Sequence, residues 1–141
     1  MANDRALFRQ LAKLRLDEAK LLAREEHYSG AYYVAGYAIE CALKAIIAAL
    51  FRENEIPDKN LVNNIYTHNL TALLSLAGLE KPLERERQTD PELDRRWSIV
   101  KNWTEQARYT IWTEEQAMAI IDAIDGDGKT GGLFQWLSAR W

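Results

Sequence analysis

Apolar positions recur at three- and four-residue steps along almost the whole chain, the spacing of one buried helical face. Over about residues 4–26, Leu7, Leu11, Leu14, Ala19, Leu22 and Ala23 make such a face, with Asn3 or Asp4 placed to cap it. The segment 29–52 is far more apolar and is predicted to be the most buried helix. Tyr32, Ala35, Ile39, Ala42, Ile46 and Ala49 form its strip, widened by Leu43, Ile47 and Leu50. Small residues (Ala31, Ala35, Gly36, Ala38, Ala42, Ala45) allow close approach of neighbouring backbones, and Ser29 is a candidate cap. Pro57 prevents continuation, so IPDKNLVNN reads as a loop or short turn.

Thr67 is placed to cap a third helix, HNLTALLSLAG, through Leu70, Leu73, Leu74 and Ala77 to a stop at Gly78. The charged stretch EKPLERERQTDPELDRR begins as a helical piece and then breaks. Asp90, with Pro91 at the first helical position, opens a helix over 91–103 that packs through Leu93, Trp97, Val100 and Trp103. Thr113 and Gln116 form a capping box for a last long helix facing inward with Ala117, Ile120, Ile121 and Ile124. DGDGKTGG stops it, and LFQWLSARW makes a short terminal helix. No strand alternation and no repeat is visible. The pattern predicts an all-α protein: an antiparallel helical bundle of four to five helices with a short C-terminal helix. It forms one domain over 1–141, with a Gly-rich connector at 125–132.

Composition narrows the function classes. The 141 residues are 48% hydrophobic and 28% charged, enough for one core without staples. A single cysteine, Cys41, excludes an intrachain disulfide framework. The formal charge of -3 argues against a generic polyanion binder, so any nucleic-acid contact must come from a local patch. The charged N-terminal stretch is no signal sequence, and no apolar run is read as long enough to span a bilayer. The expected setting is therefore cytoplasmic, without membrane contact. Two histidines and one cysteine leave little for metal chemistry, and no metal site or cofactor is expected. DGDGKTGG is not a P-loop, since the glycine loop before Gly-Lys-Thr is too short and follows a helix. A calcium loop starting at Asp125 would need Gly and Glu where Thr130 and Trp136 stand.

Candidate chemistry gathers in two places. Tyr33, Tyr37, Glu40 and Lys44 lie on one line of the second helix, at steps of four, three and four. Polar groups on so apolar a helix need partners. His68, at the start of the third helix, and Arg108 are the candidates. The second place is WSIVKNWTEQARYTIWTEEQ, where Trp97, Trp103, Arg108, Tyr109 and Trp112 combine cationic and planar groups. Core packing, a dimer seam, or base stacking with a phosphate grip all suit that composition. Arg5, Arg9 and Lys13 line up on the first helix among interspersed acids, as an ordinary solvated face. Cys41 reads as an inert core thiol.

AYYVAGYAIECALKAII (31–47), THNLTALLSLAG (67–78) and ARYT (107–110) together resemble the HEPN (higher eukaryotes and prokaryotes nucleotide-binding) domain, over about residues 5–124. The resemblance implies an α-helical bundle that commonly dimerises and is often encoded beside a nucleotidyltransferase in toxin–antitoxin or defence systems. Ribonuclease members use an Arg-x(4–6)-His motif across a dimer cleft, without a metal. Here YTIWTEEQ follows Arg108, and no histidine occurs after His68. The implied function is thus an accessory or nucleotide/RNA-binding module, acting as a homodimer with a nucleotidyltransferase as a protein partner. Its candidate binding residues are Tyr37, Glu40, Lys44, His68, Arg108 and Tyr109. Two alternatives stay open: a metal-independent endoribonuclease toxin with a degenerate site built on Arg108 and His68, and a purely structural oligomerisation domain.

Overall fold

A capping carboxylate opens the first helix in the computed structural model, which describes residues 4–128 and 131–141. Asp4 accepts the Leu7 N–H at 2.8 Å and so caps α1 (Arg5–Arg24). Asn3, the other candidate cap, lies outside the described residues, as do Lys129 and Thr130 of the connector. A short link leads into α2 (Tyr28–Ala48), which returns antiparallel along α1. The chain continues through α3 (Lys59–Ile65), which packs on α4 (Leu70–Leu76), itself set against α2; α5 (Glu80–Arg87) packs on the longer α6 (Pro91–Val100), and α8 (Leu133–Ser138) on α6 and the longer α7 (Glu114–Asp125). A 3₁₀ turn, Glu105–Tyr109, joins α6 to α7. The fold is all-α, with no strand among the described residues.

α2 is the axis of the core. Thirteen of its residues are buried, from Ala31 to Ile47. By length and composition it passes as a membrane span, which corrects the expectation that no apolar run is long enough; 72% of that stretch is buried within the fold. A helix surrounded by protein is apolar on nearly all sides for the same reason that a spanning helix is. Ala49 and Leu50 turn outward because the helix ends at Ala48. On α1 the buried face is rotated from the expected one. Ala12, Leu16, Ala19 and Ala23 are buried, and Leu14 is exposed.

Local chemistry accounts for the other boundaries. Asp58 accepts N–H bonds from Asn60 and Leu61 and so starts α3 where a loop was expected. Asn69, not Thr67, caps α4 through the Ala72 N–H at 2.9 Å. Asp90 caps α6 with Pro91 behind it, but this helix stops at Val100 and leaves Trp103 in the following turn. The Thr113–Gln116 capping box is present. Gly126 ends α7 with φ 59°, a left-handed conformation that favours glycine. Ser29 does not cap α2; its hydroxyl accepts the Trp112 N–H at 2.8 Å, 83 residues away in sequence.

The tryptophans of the 97–112 segment belong to this core. Trp97 and Trp103 are buried. The Trp103 indole lies directly over Gly36, where a Cβ would collide with the ring, and its Nε1 donates to the Tyr33 carbonyl at 3.1 Å. Trp112 stacks on Tyr32 with centroids 3.6 Å apart and donates to the Ala107 carbonyl at 2.9 Å. Arg9 and Lys13 of the α1 stripe sit over the Trp141 ring at 5.8 and 5.7 Å.

Gly36→Ala should therefore lower stability by about 1–3 kcal/mol through overpacking, and Trp103→Ala by about 3–5 kcal/mol through the cavity it leaves. The double variant should lose less than the sum, since the added methyl then occupies vacated space. Denaturant unfolding monitored by circular dichroism measures all three.

Candidate functional site

The accessible line on α2 is the polar line seen in the sequence. Along the middle and end of this helix only Tyr33, Val34, Tyr37, Lys44 and Ala48 are half-exposed, while their neighbours are buried. Glu40 is the one buried charged residue among those described. Its carboxylate accepts from Lys44 Nζ at 3.3 Å and from His68 Nδ1 at 2.8 Å. An ionised carboxylate only accepts, so Nδ1 carries a proton toward Glu40; in the neutral tautomer Nε2 is then left as an acceptor. The order Glu before Lys at four residues is also the favourable one on a helix.

This polar trio forms one side of a groove of about 650 Å³ between the start of α1, the end of α2 and the α3 segment. Its volume is that of an ordinary small-molecule site. Tyr37 closes the groove toward the middle of α2. Burial, followed by the neighbouring Cys41 and Glu40, pushes the Tyr37 phenol above its usual pKa. Arg15 sits over the Tyr37 ring at 5.8 Å. Cys41 is buried beneath, and desolvation chiefly, then the charge on Glu40, pushes its thiol up to about 11. A more open cleft of about 380 Å³, lined by Asn63, Asn64, Thr67 and Ser75, has no ionisable side chain.

Arg108 is elsewhere. It lies in the 3₁₀ turn, exposed, with its guanidinium over the Tyr109 ring at 5.2 Å and Tyr33 beside it. Tyr109 foremost, with Tyr33, raises the Arg108 pKa. Glu40 thus draws its hydrogen-bond partners from Lys44 and His68, and the Glu40–Arg108 pairing weighed from the sequence does not form. Tyr33 and Glu40 are two turns apart, about 10 Å along the axis. The six candidate binding residues therefore separate into two groups. Tyr37, Glu40, Lys44 and His68 line the groove, while Arg108 and Tyr109 form a knuckle at the other end. The near-parallel Tyr33 and Tyr37 rings, 6.3 Å apart, connect the two. Trp97, Trp103 and Trp112 are engaged in the core, so Tyr109, 74% exposed, is the ring this segment offers to a ligand.

The match to known proteins can be placed on this geometry. The family model for the HEPN domain matches residues 6–125, from the start of α1 to the end of α7. The chain belongs to the HEPN family. No curated protein and no solved structure matches it. The HEPN match contains both polar groups, the groove trio and the Arg108–Tyr109 knuckle.

Phe8, Phe51 and Tyr66 also line the groove and were not singled out from the sequence. Each is an isolated aromatic near a helix end, where periodicity carries no signal.

The buried, protonated thiol makes a direct test. Cys41 should stay unmodified by iodoacetamide at pH 8 in the native protein and react on denaturation, because thiolate is the nucleophile; mass spectrometry reads the difference. Glu40→Ala should cost about 1–3 kcal/mol by stranding the Lys44 and His68 donors, measured by denaturant unfolding.

Proposed function

We propose that this protein is a nucleotide- or RNA-binding HEPN module without catalysis of its own. It works as a homodimer alongside a nucleotidyltransferase in a cytoplasmic toxin–antitoxin or defence setting. One observation carries the non-catalytic reading. Arg108 has no histidine after it at the spacing of the cleaving pair, and His68 is tied to Glu40. Metal-independent cleavage needs a base and an electrostatic stabiliser at one phosphate. The motif that supplies such a base beside Arg108 is missing from this sequence.

Binding has better support. Arg108 is an exposed guanidinium beside an exposed aromatic ring, a combination that grips phosphate and stacks a base. The groove adds a concave site of ligand size at the other end of the same helix. The dimer and the nucleotidyltransferase partner rest on the family alone.

Fluorescence anisotropy with short single-stranded RNA in EDTA, followed by gel analysis of the same samples, tests this. Binding without cleavage is expected. Arg108→Ala should weaken binding about tenfold and lower the salt slope by about 1. Cleavage in EDTA that disappears in both Arg108→Ala and His68→Ala would overturn the proposal in favour of a ribonuclease. No binding to RNA or nucleotides would leave the structural-subunit alternative.

A further inference from the structure

The groove has a charge balance that does not suit a phosphate. Apart from the phenols of Tyr37 and Tyr66, its ionisable lining consists of Asp4 and Arg5 from the start of α1, Glu40 and Lys44 from α2, and His68 before α4. Two carboxylates offset two permanent cations. One of those cations, Lys44, is already paired with the buried Glu40. Sites that hold phosphate groups present an excess of donors and positive charge. This one is formally neutral when His68 is neutral, on a chain whose overall charge is -3.

The rest of the lining is apolar and aromatic. Phe8 and Leu11 come from α1, Ile47 and Phe51 from α2 and its exit, and Ile65 and Tyr66 from the end of α3. A flat, uncharged body with one hydrogen-bonding edge fits that division. The polar side supplies what such an edge needs. Lys44 Nζ has three donors, and one is on Glu40. In the neutral tautomer, with its proton on Nδ1 against Glu40, His68 offers Nε2 as an acceptor. Both side chains touch the same carboxylate, so a donor and an acceptor stand as neighbours. Every nucleobase carries an acceptor beside a donor on its pairing edge.

We infer that the groove is a nucleobase pocket. It takes the base of a nucleoside or of an unpaired nucleotide, stacked against the apolar walls with its pairing edge on Lys44 and His68, and leaves the phosphate outside. This deepens the binding function proposed above and rests on it. Glu40 acts here as a positioning residue: it fixes the His68 tautomer and aims Lys44. The arrangement does not select among bases, since each base can be turned in the groove to bring its acceptor to Lys44 Nζ and its donor to His68 Nε2.

Isothermal titration of adenosine, guanosine, cytidine and uridine into the full chain tests the pocket. At least one nucleoside should bind, within about threefold of its 5′-monophosphate and with little change between about 50 and 200 mM salt. His68→Ala should weaken that binding about tenfold, the loss of one base-edge hydrogen bond. Ala48→Phe fills the groove from a half-exposed position on the last turn of α2 and should abolish binding while leaving the helical circular dichroism intact. Mononucleotides that bind when nucleosides do not, or displacement of a bound nucleoside by inorganic phosphate, would overturn the base pocket and leave the nucleotide-binding function standing. Nucleoside binding untouched by Ala48→Phe would also overturn it, by placing the ligand elsewhere. Failure of nucleosides, mononucleotides and RNA alike would remove the underlying binding function as well.

Discussion

A carboxylate near the middle of a helix that is buried on almost every side needs a cation or hydrogen-bond donors within reach. Glu40 occupies such a position, and much of the functional face is organised around it. Lys44 answers from the next turn of the same helix, so this half of the network forms with the helix itself. His68 answers from the loop before α4 and thereby pins the α3–α4 segment against the end of α2. The groove lies between that segment, the end of α2 and the start of α1, with His68 at its edge. The polar trio is thus a structural clasp and the wall of a cavity at once.

A second constraint sets the far end of the same face. α2 has no side chain at Gly36, and the Trp103 indole fills the space, anchored to the Tyr33 carbonyl. Trp112 is held in turn by Tyr32, Ser29 and Ala107. The 3₁₀ turn between these two tryptophans has little room to move, and it is the turn that carries Arg108 and Tyr109. Core packing here positions an exposed cation. The polar face of α2 is consequently bounded by two different devices: an ion-pair clasp at one end and an aromatic latch at the other.

Much of this was readable along the chain, for identifiable reasons. The capping box at Thr113, the Asp90–Pro91 start and the inward faces of α4 and α7 follow from local rules that the fold obeys. The Tyr33–Tyr37–Glu40–Lys44 line was visible because polar residues at helical spacing stand out on an apolar helix, and the Glu40–His68 partnership was among its expected pairings. The Glu40–Arg108 pairing failed because a distance across the fold is not encoded in helical spacing. Ser29 suits a cap by local pattern alone, but its hydroxyl serves Trp112, which no local pattern connects to it. Leu14 was misassigned to a buried face because α1 packs through alanines, whose small side chains give a weak hydrophobic signal. The groove walls at Phe51 and Tyr66 were invisible for a related reason: they flank a stretch with no periodicity, and only folding brings it back over α2.

The basic stripe of α1 has a consequence for the order of assembly. Arg9 and Lys13 cover the ring of Trp141, which also meets Phe134 edge-on. The α1–α2 hairpin needs only neighbouring sequence and is the kind of contact that forms quickly, whereas the Trp141 contact closes a loop of well over a hundred residues. During synthesis the hairpin would emerge long before that ring. Until it arrives, these cations face solvent on the outer side of the first helix. The contact then leaves Lys13 exposed and Arg9 half-buried, so the nascent domain carries a somewhat more open positive surface than the finished one.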